Sequence, residues 1–519
     1  MRCAVCLGVL VSCIGTARAT TYVVDGARGN DAAVGSSTDP WRTIGASLPR
    51  LLAGDVLEVR AGTYREELVF DLTANAQSPI VIRAVAGATV VIDGGGTLPA
   101  DPEQALVVVA GSHTTFQGFE VKGSNGQGVL VNGEANAVVG CKVHHNAHRG
   151  IFLTTGRSAA ARDNVVYQNG LANEKAHTLS TGEAGIGVFQ ADQAVVSGNT
   201  VYNNHVAGVV ISESSGALVE RNTLYDSLDH GNYLDRASRV TFTRNFVYCT
   251  GAAAWQVGNL RPNGLAIGDG PHSEGHVVTN NIFSGCQNNL IWFRGDETPG
   301  VTIGLRGALI ANNTFSQAQG VALQLDAGPH PGTRIINNIV IQSNASVLEL
   351  TEPSTGLSFA SNNWFGGGPP KEGESKDDIL VSCQLPNITA LNPAGFRLPA
   401  SSPCRDKGTP EAGVAVDYFG TKRPYGARID VGAHEFDGTN VIGDGGIVFA
   451  DGGAPTADGG PRDGTTGPAG DGTISTQPGG CSCAVKDSAS AAQAAGALAL
   501  SLLVGLVTGL ARARRRRAD

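Results

Sequence analysis

One phrase recurs along the chain: asparagine, any residue, an apolar residue, an aromatic. It reads NVVY from Asn164, NTVY from Asn199, NTLY from Asn222 and NFVY from Asn245, with looser copies from Asn281, Asn313, Asn338 and Asn363. The intervals are 35, 23, 23, 36, 32, 25 and 25 residues, and Cys141 and Phe119 hold the same place 23 and 22 residues ahead of the next member. A short period interrupted by insertions is the signature of a repeat array. After most copies comes a glycine and an alternating apolar segment: GVLV at Gly128, GIFL at Gly150, GVVI at Gly208, GNYL at Gly231, GLAI at Gly264 and GVALQL at Gly320. Such segments read as short strands bounded by turns. A unit this small has no room for a helix and cannot bury an apolar side alone, whereas stacked copies can, as a parallel β-helix. The expected class is all-β, with the asparagines stacked in a turn, each amide donating to a layer about 4.8 Å away.

Over Pro79 to Phe365 this pattern resembles the right-handed parallel β-helix of the pectate-lyase-like superfamily. The resemblance implies that the glycine-led strand face carries a substrate groove; it does not choose among the many activities the fold hosts. Both ends of such a helix must be closed against strand pairing. Tyr22 to Phe70 supplies a cap in this reading, with an amphipathic helical piece around Trp41 to Leu52. Near the other end, SSPCRDKG and DYFGTKRPYGARIDVGAHEF resemble the closing segment of surface-anchored β-helix proteins through Asp417, Gly420, Arg423, Pro424, Asp430, Gly432, Ala433 and Glu435. That segment is expected to fold over the last coil.

The termini read as targeting segments. Residues 1–19 have an early arginine, an apolar run and an Ala-x-Ala ending at Ala19, the parts of a secretory signal; LVSC at Leu10 to Cys13 is a rival, lipobox-like reading. Residues 437–480 repeat Asp-Gly with Asp437, Asp444, Asp451 and Asp458 at intervals of seven, which reads as a disordered, extended stalk. The final 481–519 join Cys481 and Cys483 to an apolar span at 491–511 and then Arg512 and Arg514 to Arg517. About 20 apolar residues cross a bilayer with the arginines kept cytoplasmic. The order resembles a myxobacterial C-terminal sorting signal, which implies processing at the tail and retention at the cell surface. Between the ends lie a cap with the first coil at 20–78, the β-helix at 79–365 and the closing segment at 366–436.

Removing both targeting ends leaves 29 basic against 44 acidic residues, a net charge of −15. Nucleic acid is excluded as a partner on that balance, because phosphate binding rests on clustered lysine and arginine. An anionic polysaccharide needs a local basic patch or a bridging cation. Five cysteines remain, and the pairs read here are Cys249 with Cys286 and Cys383 with Cys404, leaving Cys141 as a small buried residue. No paired C-x-x-C motif suggests zinc.

Insertions interrupt the period at Leu171 to Ala184, Thr250 to Asn263 and Gly295 to Leu305, flanking one face. Long loops on a rigid scaffold are where ligands are met. Strand alternation turns Val209, Ile211 and Leu234 inward, leaving an outward column of Leu130, Phe152, Val210, Tyr233 and Ala266. Either loops cover that apolar column or sugar rings stack on Phe152 and Tyr233. Around it gather Arg149, His177, Glu183, Glu213, His230, Asp235, Arg236, Asp269, His272 and Arg294.

Elimination from a uronan needs a base at the C5 proton and a cation on the uronate carboxylate, whereas hydrolysis needs two carboxylates across the bond. The residues assigned to catalysis are His230 as proton-transfer group, Arg236 as base or carboxylate clamp, and Arg149. Phe152, Tyr233, Glu213 and Arg294 are assigned to substrate, and Asp235 with Asp269 to calcium. The competing reading makes Glu213, Arg236 and Asp269 a surface ion ladder of small energetic weight. His144, His145 and His148 read as solvated turn residues. The function expected is a secreted, surface-retained, monomeric protein acting on polysaccharide, lyase-like; the alternatives are a non-catalytic carbohydrate-binding or adhesive protein and a glycoside hydrolase.

Overall fold

The computed structural model describes residues 19–438 apart from 177–182, 229, 254, 256–260, 269–272, 295–303, 344, 370 and 412. Among the described residues every pairing between strands is parallel, and each coil visits three sheets in one order. Gln127–Glu134 lies in an 11-stranded sheet, Ala137–Val139 in a 13-stranded one and Lys142–His144 in a 12-stranded one, before Ile151–Arg157 returns to the first. These are called here the groove sheet, the flank sheet and the tyrosine sheet.

Register follows the glycine-led segments. Val129, Ile151, Ile186 and Val209 stack in successive coils of the groove sheet, all buried. Removing each such side chain from water stabilises the fold by about 1.5–3 kcal/mol before entropy is counted. Rings share the interior, with Phe242, Phe283 and Phe315 stacked at 6.2 and 5.0 Å.

The recurring asparagines form a ladder in the turn between flank and tyrosine sheets. From Asn164 through Asn199, Asn222, Asn245, Asn281, Asn313 and Asn338, each Nδ2 and each backbone N–H donates to the Oδ1 of the next rung at 2.9–3.0 Å. The last rung is Asn362 rather than Asn363, and its own N–H goes to Asp378 Oδ1 at 3.0 Å. Backbone conformation explains the difference of one residue. The residue before each rung is left-handed, including Arg221, Arg244, Asn280, Asn312 and Asn337, and in the final coil that residue is Ser361, with φ 54°. A second ladder, Asn146 to Asn169 to Asn204 to Ser227, occupies the turn between tyrosine and groove sheets. Its spacing is the same, but without an aromatic three places on it lacks the phrase that marks the first.

The aromatic of the phrase faces outward. His144, Tyr167, Tyr202, Tyr225 and Tyr248 stack ring on ring at 4.7, 5.0, 4.8 and 4.6 Å. Beside them, the residue following the asparagine changes character along the helix: Thr200 and Thr223 are half-buried, whereas Phe246, Ile282 and Ile339 are buried. The closing segment covers those apolar residues. It begins across the last coil, where Trp364 N–H donates to Ile379 O at 3.0 Å, then runs back along the tyrosine sheet. Phe396 packs on Phe246, and Arg423 Nη2 reaches Asn280 Oδ1 at 3.2 Å. A segment lying over the last coil alone would leave that apolar strip in water. Within it Arg423 meets Glu435 at 2.8 Å, both fully buried, and Glu435 accepts from the N–H groups of Tyr425 and Asp430.

At the other end, helical character is confined to a 3-10 helix at Gly45–Arg50, shorter than the span expected from Trp41 to Leu52. Pro49 lies inside it and offers no N–H, which limits propagation. Trp41, Ile44 and Leu51 are nevertheless buried in the core, and Thr21–Val24 opens the flank sheet. Cys249 is joined to Cys286 and Cys383 to Cys404, with Cα separations of 4.8 and 5.3 Å. Cys141 is buried as a thiol, and burial pushes its pKa up to about 12. The signal up to residue 18, the stalk from 439, the span 491–511, and Cys481 and Cys483 lie outside the described residues. Among the described residues no helix is long and apolar enough to cross a membrane.

Candidate functional site

The outward column of the groove sheet runs Leu130, Phe152, Gly187, Val210, Tyr233, Ala266 and Ile291 in register. Its middle is covered: Val210 is 7% and Ala266 0% exposed, and Val210 packs with Ala184, Ala207 and Tyr233. Phe152 and Tyr233 remain half-buried. Each ring leans over a glycine of the next coil. A Cβ built on Gly187 would stand 3.2 Å from Phe152 Cδ2, and one on Gly268 would stand 2.3 Å from the Tyr233 hydroxyl. The glycines are thus what lets these rings lie along the sheet.

The Tyr233 end holds a cluster of rings, with His230 5.0 Å from Tyr233 and 5.3 Å from Phe293, and Tyr233 5.7 Å from Phe293. Asn263 Nδ2, at the end of the second insertion, lies 3.4 Å from His230 Nδ1. Asp235 is engaged on both oxygens: Tyr233 donates to one at 3.3 Å, Ser212 and Arg236 to the other at 2.7 and 3.2 Å. Arg236 also meets Glu213 at 2.9 Å, and Gln190 donates to the second Glu213 oxygen at 2.9 Å. Gln190, Glu213 and Arg236 are left-handed turn residues of consecutive coils, so they stack as a polar ladder along the edge of the groove sheet. Arg236 is thereby committed to two carboxylates. Asp269, the other half of the calcium assignment, lies outside the described residues, as do His177 and His272. Asp235 alone does not suit calcium, because its oxygens already take a hydroxyl pair and a guanidinium. Among the described residues no three His, Cys, Asp or Glu side chains converge on a metal position. Arg294 follows Phe293, and its backbone N–H donates to Asp326 at 3.1 Å.

The Phe152 end is chemically different. The Arg149 guanidinium lies over the Phe152 ring, 4.4 Å from its centre. Beside it His148 Nδ1 is 2.7 Å from Glu183 Oε1, an ion pair that raises the His148 pKa above its ordinary value. His148 is thus paired and partly buried, not the solvated turn residue that its place in the sequence suggests. Its partner lies 35 residues away across an insertion, and the one available signal is that Ile151 and Ile186, three places on from each, share that interval. Arg149 and His230 do not meet over one sugar: Phe152 and Tyr233 are three coils apart, about 14 Å at 4.8 Å per coil.

A three-sheet parallel β-helix with aromatic and charged side chains ranged along one outward sheet face defines a class of repeat protein. Within it, this chain belongs to the family described as Pel9A-like, right handed beta helix region, whose pattern matches residues 21–319. The uncharacterized protein YwoF of Bacillus subtilis (strain 168) is 26% identical over 207 residues, 36% of this chain and 42% of that protein. The matched region thus spans less than half of that relative's length. Among solved structures, the complex of XylC with xylose has a TM-score of 0.53 at 11% identity, covering 80% of this chain and 98% of the other. Pectate lyase Pel9A has a TM-score of 0.48 at 18% identity, covering 80% and 96%.

Proposed function

We propose that this protein acts on an acidic polysaccharide laid along the groove sheet and cleaves it by β-elimination. The observation that carries the reading is the pair of half-buried rings, Phe152 and Tyr233, each lying over a glycine on one sheet face, with Arg149 stacked on the first. Sugar faces pack on aromatic rings, and a guanidinium offsets a uronate carboxylate that an acidic body would otherwise repel. Membership of a family named for Pel9A, which is a pectate lyase, is consistent with it. Hydrolysis is less well served, since it needs two carboxylates free to face the bond. Glu183, Glu213 and Asp235 are instead engaged with His148 and Arg236.

The commitment of Arg236 to Glu213 and Asp235 supports a second reading, glycan binding without cleavage, because it removes one candidate base. Calcium enters neither reading as a required group. Incubating the exported protein with uronic-acid and neutral polysaccharides, with calcium and with chelator, separates the readings. New ultraviolet absorbance is expected on an acidic glycan; reducing ends without absorbance mean hydrolysis, and retention of the polymer with neither means binding alone. Surface retention through 479–519 belongs to the same proposal, on the order of cysteine pair, apolar span and arginines. Deleting that tail should release the protein to the medium, and unchanged cell association would reject it.

A further inference from the structure

We infer that His148 is the proton-abstracting base of this groove, oriented by Glu183 and served by Arg149 as the cation on the substrate carboxylate. The inference rests on the elimination reading above. His148 and Glu183 hold equivalent places in consecutive coils, and the groove sheet sets their approach through the register Ile151 to Ile186 and the Gly150 N–H bond to Ala184 O. An ionised carboxylate only accepts, so the 2.7 Å contact fixes the proton on His148 Nδ1. Nε2 then carries the lone pair of the neutral ring. Among the described residues no partner occupies it, and the His148 side chain is 31% exposed. Arg149, next in the chain, lies over Phe152 on the groove face. Two consecutive coils therefore supply a base, its orienting carboxylate, a cation and a ring for the sugar.

The step balances without a further reactant. Nε2 takes the C5 proton of a uronate bound on Phe152, the C5–H electron pair becomes the C4=C5 double bond, and the C4–O bond breaks with its pair on the leaving oxygen. That oxygen takes a proton from water, and His148 returns its own to solvent. Negative charge building on the carboxylate during the step faces Arg149. The charged groups acting on His148 are Glu183 and Glu103, which favour its protonated form, and Arg149, which opposes it. The base form consequently fills at a pH above the ordinary histidine value of 6.5, and the rate should rise with pH through that point. A histidine–glutamate pair of purely structural use would share the raised pKa but would not tie the rate of elimination to it.

The test uses the full chain on polygalacturonate and alginate, following absorbance of the new double bond. His148→Ala should lower turnover by about 100-fold or more while polymer retention in affinity gels is unchanged, and added imidazole should restore part of the rate. Glu183→Gln should keep a measurable rate but move the acidic limb of the pH–rate profile to lower pH. Wild-type elimination that survives in His148→Ala within about tenfold, or a Glu183→Gln profile that does not move, overturns this assignment and leaves the elimination reading standing. Absence of elimination by the wild type on any acidic glycan overturns that reading and this one with it.

Discussion

The hydroxyl of Tyr233 rests against Gly268 of the following coil, where a Cβ would stand 2.3 Å from the phenol oxygen. The tyrosine ring lies over that glycine and reaches Phe293, 5.7 Å away in the coil beyond, because nothing projects from position 268. Gly268→Ala should push the ring off Phe293 and into solvent. The expected stability cost is about 1 kcal/mol, since the far end of a half-buried side chain has room to move. Glycan retention should fall more than the melting temperature does. Gly187→Ala, whose Cβ meets Phe152 at a tolerable 3.2 Å, should be milder in both measurements.

Asn222 sits mid-ladder, accepting from Asn199 and donating to Asn245 and to Val196 O. Asn222→Leu fills the space but strands the Asn199 backbone N–H and one hydrogen of its amide in a buried turn, and leaves Asn245 Oδ1 with the backbone N–H of residue 222 alone. A loss of about 1–3 kcal/mol in denaturant unfolding is expected. An unchanged midpoint would mean that water reaches the ladder.

Arg236 is 44% exposed and Glu213 34%, so their ion pair is screened by solvent. Arg236→Ala should therefore cost under about 1 kcal/mol and change turnover by less than about tenfold. A loss of turnover near that expected for His148→Ala, with normal melting, would return Arg236 to the catalytic machinery.

His434 anchors the closing segment by accepting the Leu398 N–H at 2.8 Å, and burial pushes its pKa down to about 3. Folding thus disfavours its protonated form. Its contribution is whole above the unfolded value near 6.5 and is lost as pH falls from there toward 3. Asp430 and Asp417, with pKa values raised by burial, slope the other way. A comparison of His434→Asn with the wild type isolates the histidine: the gap in unfolding free energy should narrow by about 1–3 kcal/mol between pH 7 and pH 4.5. A constant gap would place the proton elsewhere.

Much of this architecture was legible in the chain because it is written once per coil. The 23-residue intervals of Asn199, Asn222 and Asn245 equal one turn of the helix, and the alternation of Val209, Val210 and Ile211 assigns each side chain to core or groove from local stereochemistry. The outward column was legible too from Leu130 to Ala266, except where insertion had displaced Gly187 from the simple period, and it continues to Ile291 beyond that reading. Identical hydrogen bonds repeat at every layer, so a local pattern is enough to set the register.

What only the tertiary structure decided is which side chains meet between layers and beyond the repeat. His148 finds Glu183 across 35 residues, Arg236 adds Asp235 to the Glu213 contact expected of an ion ladder, and Arg423 closes on Glu435 beneath a segment that runs back over Phe246 and Ile282. A one-residue shift of the left-handed turn to Ser361 moved the last rung to Asn362. Backbone pairing obeys a period, which sets the positions that neighbour one another between coils, but the choice of partner among those neighbours depends on the reach and desolvation of particular side chains once both coils are in place.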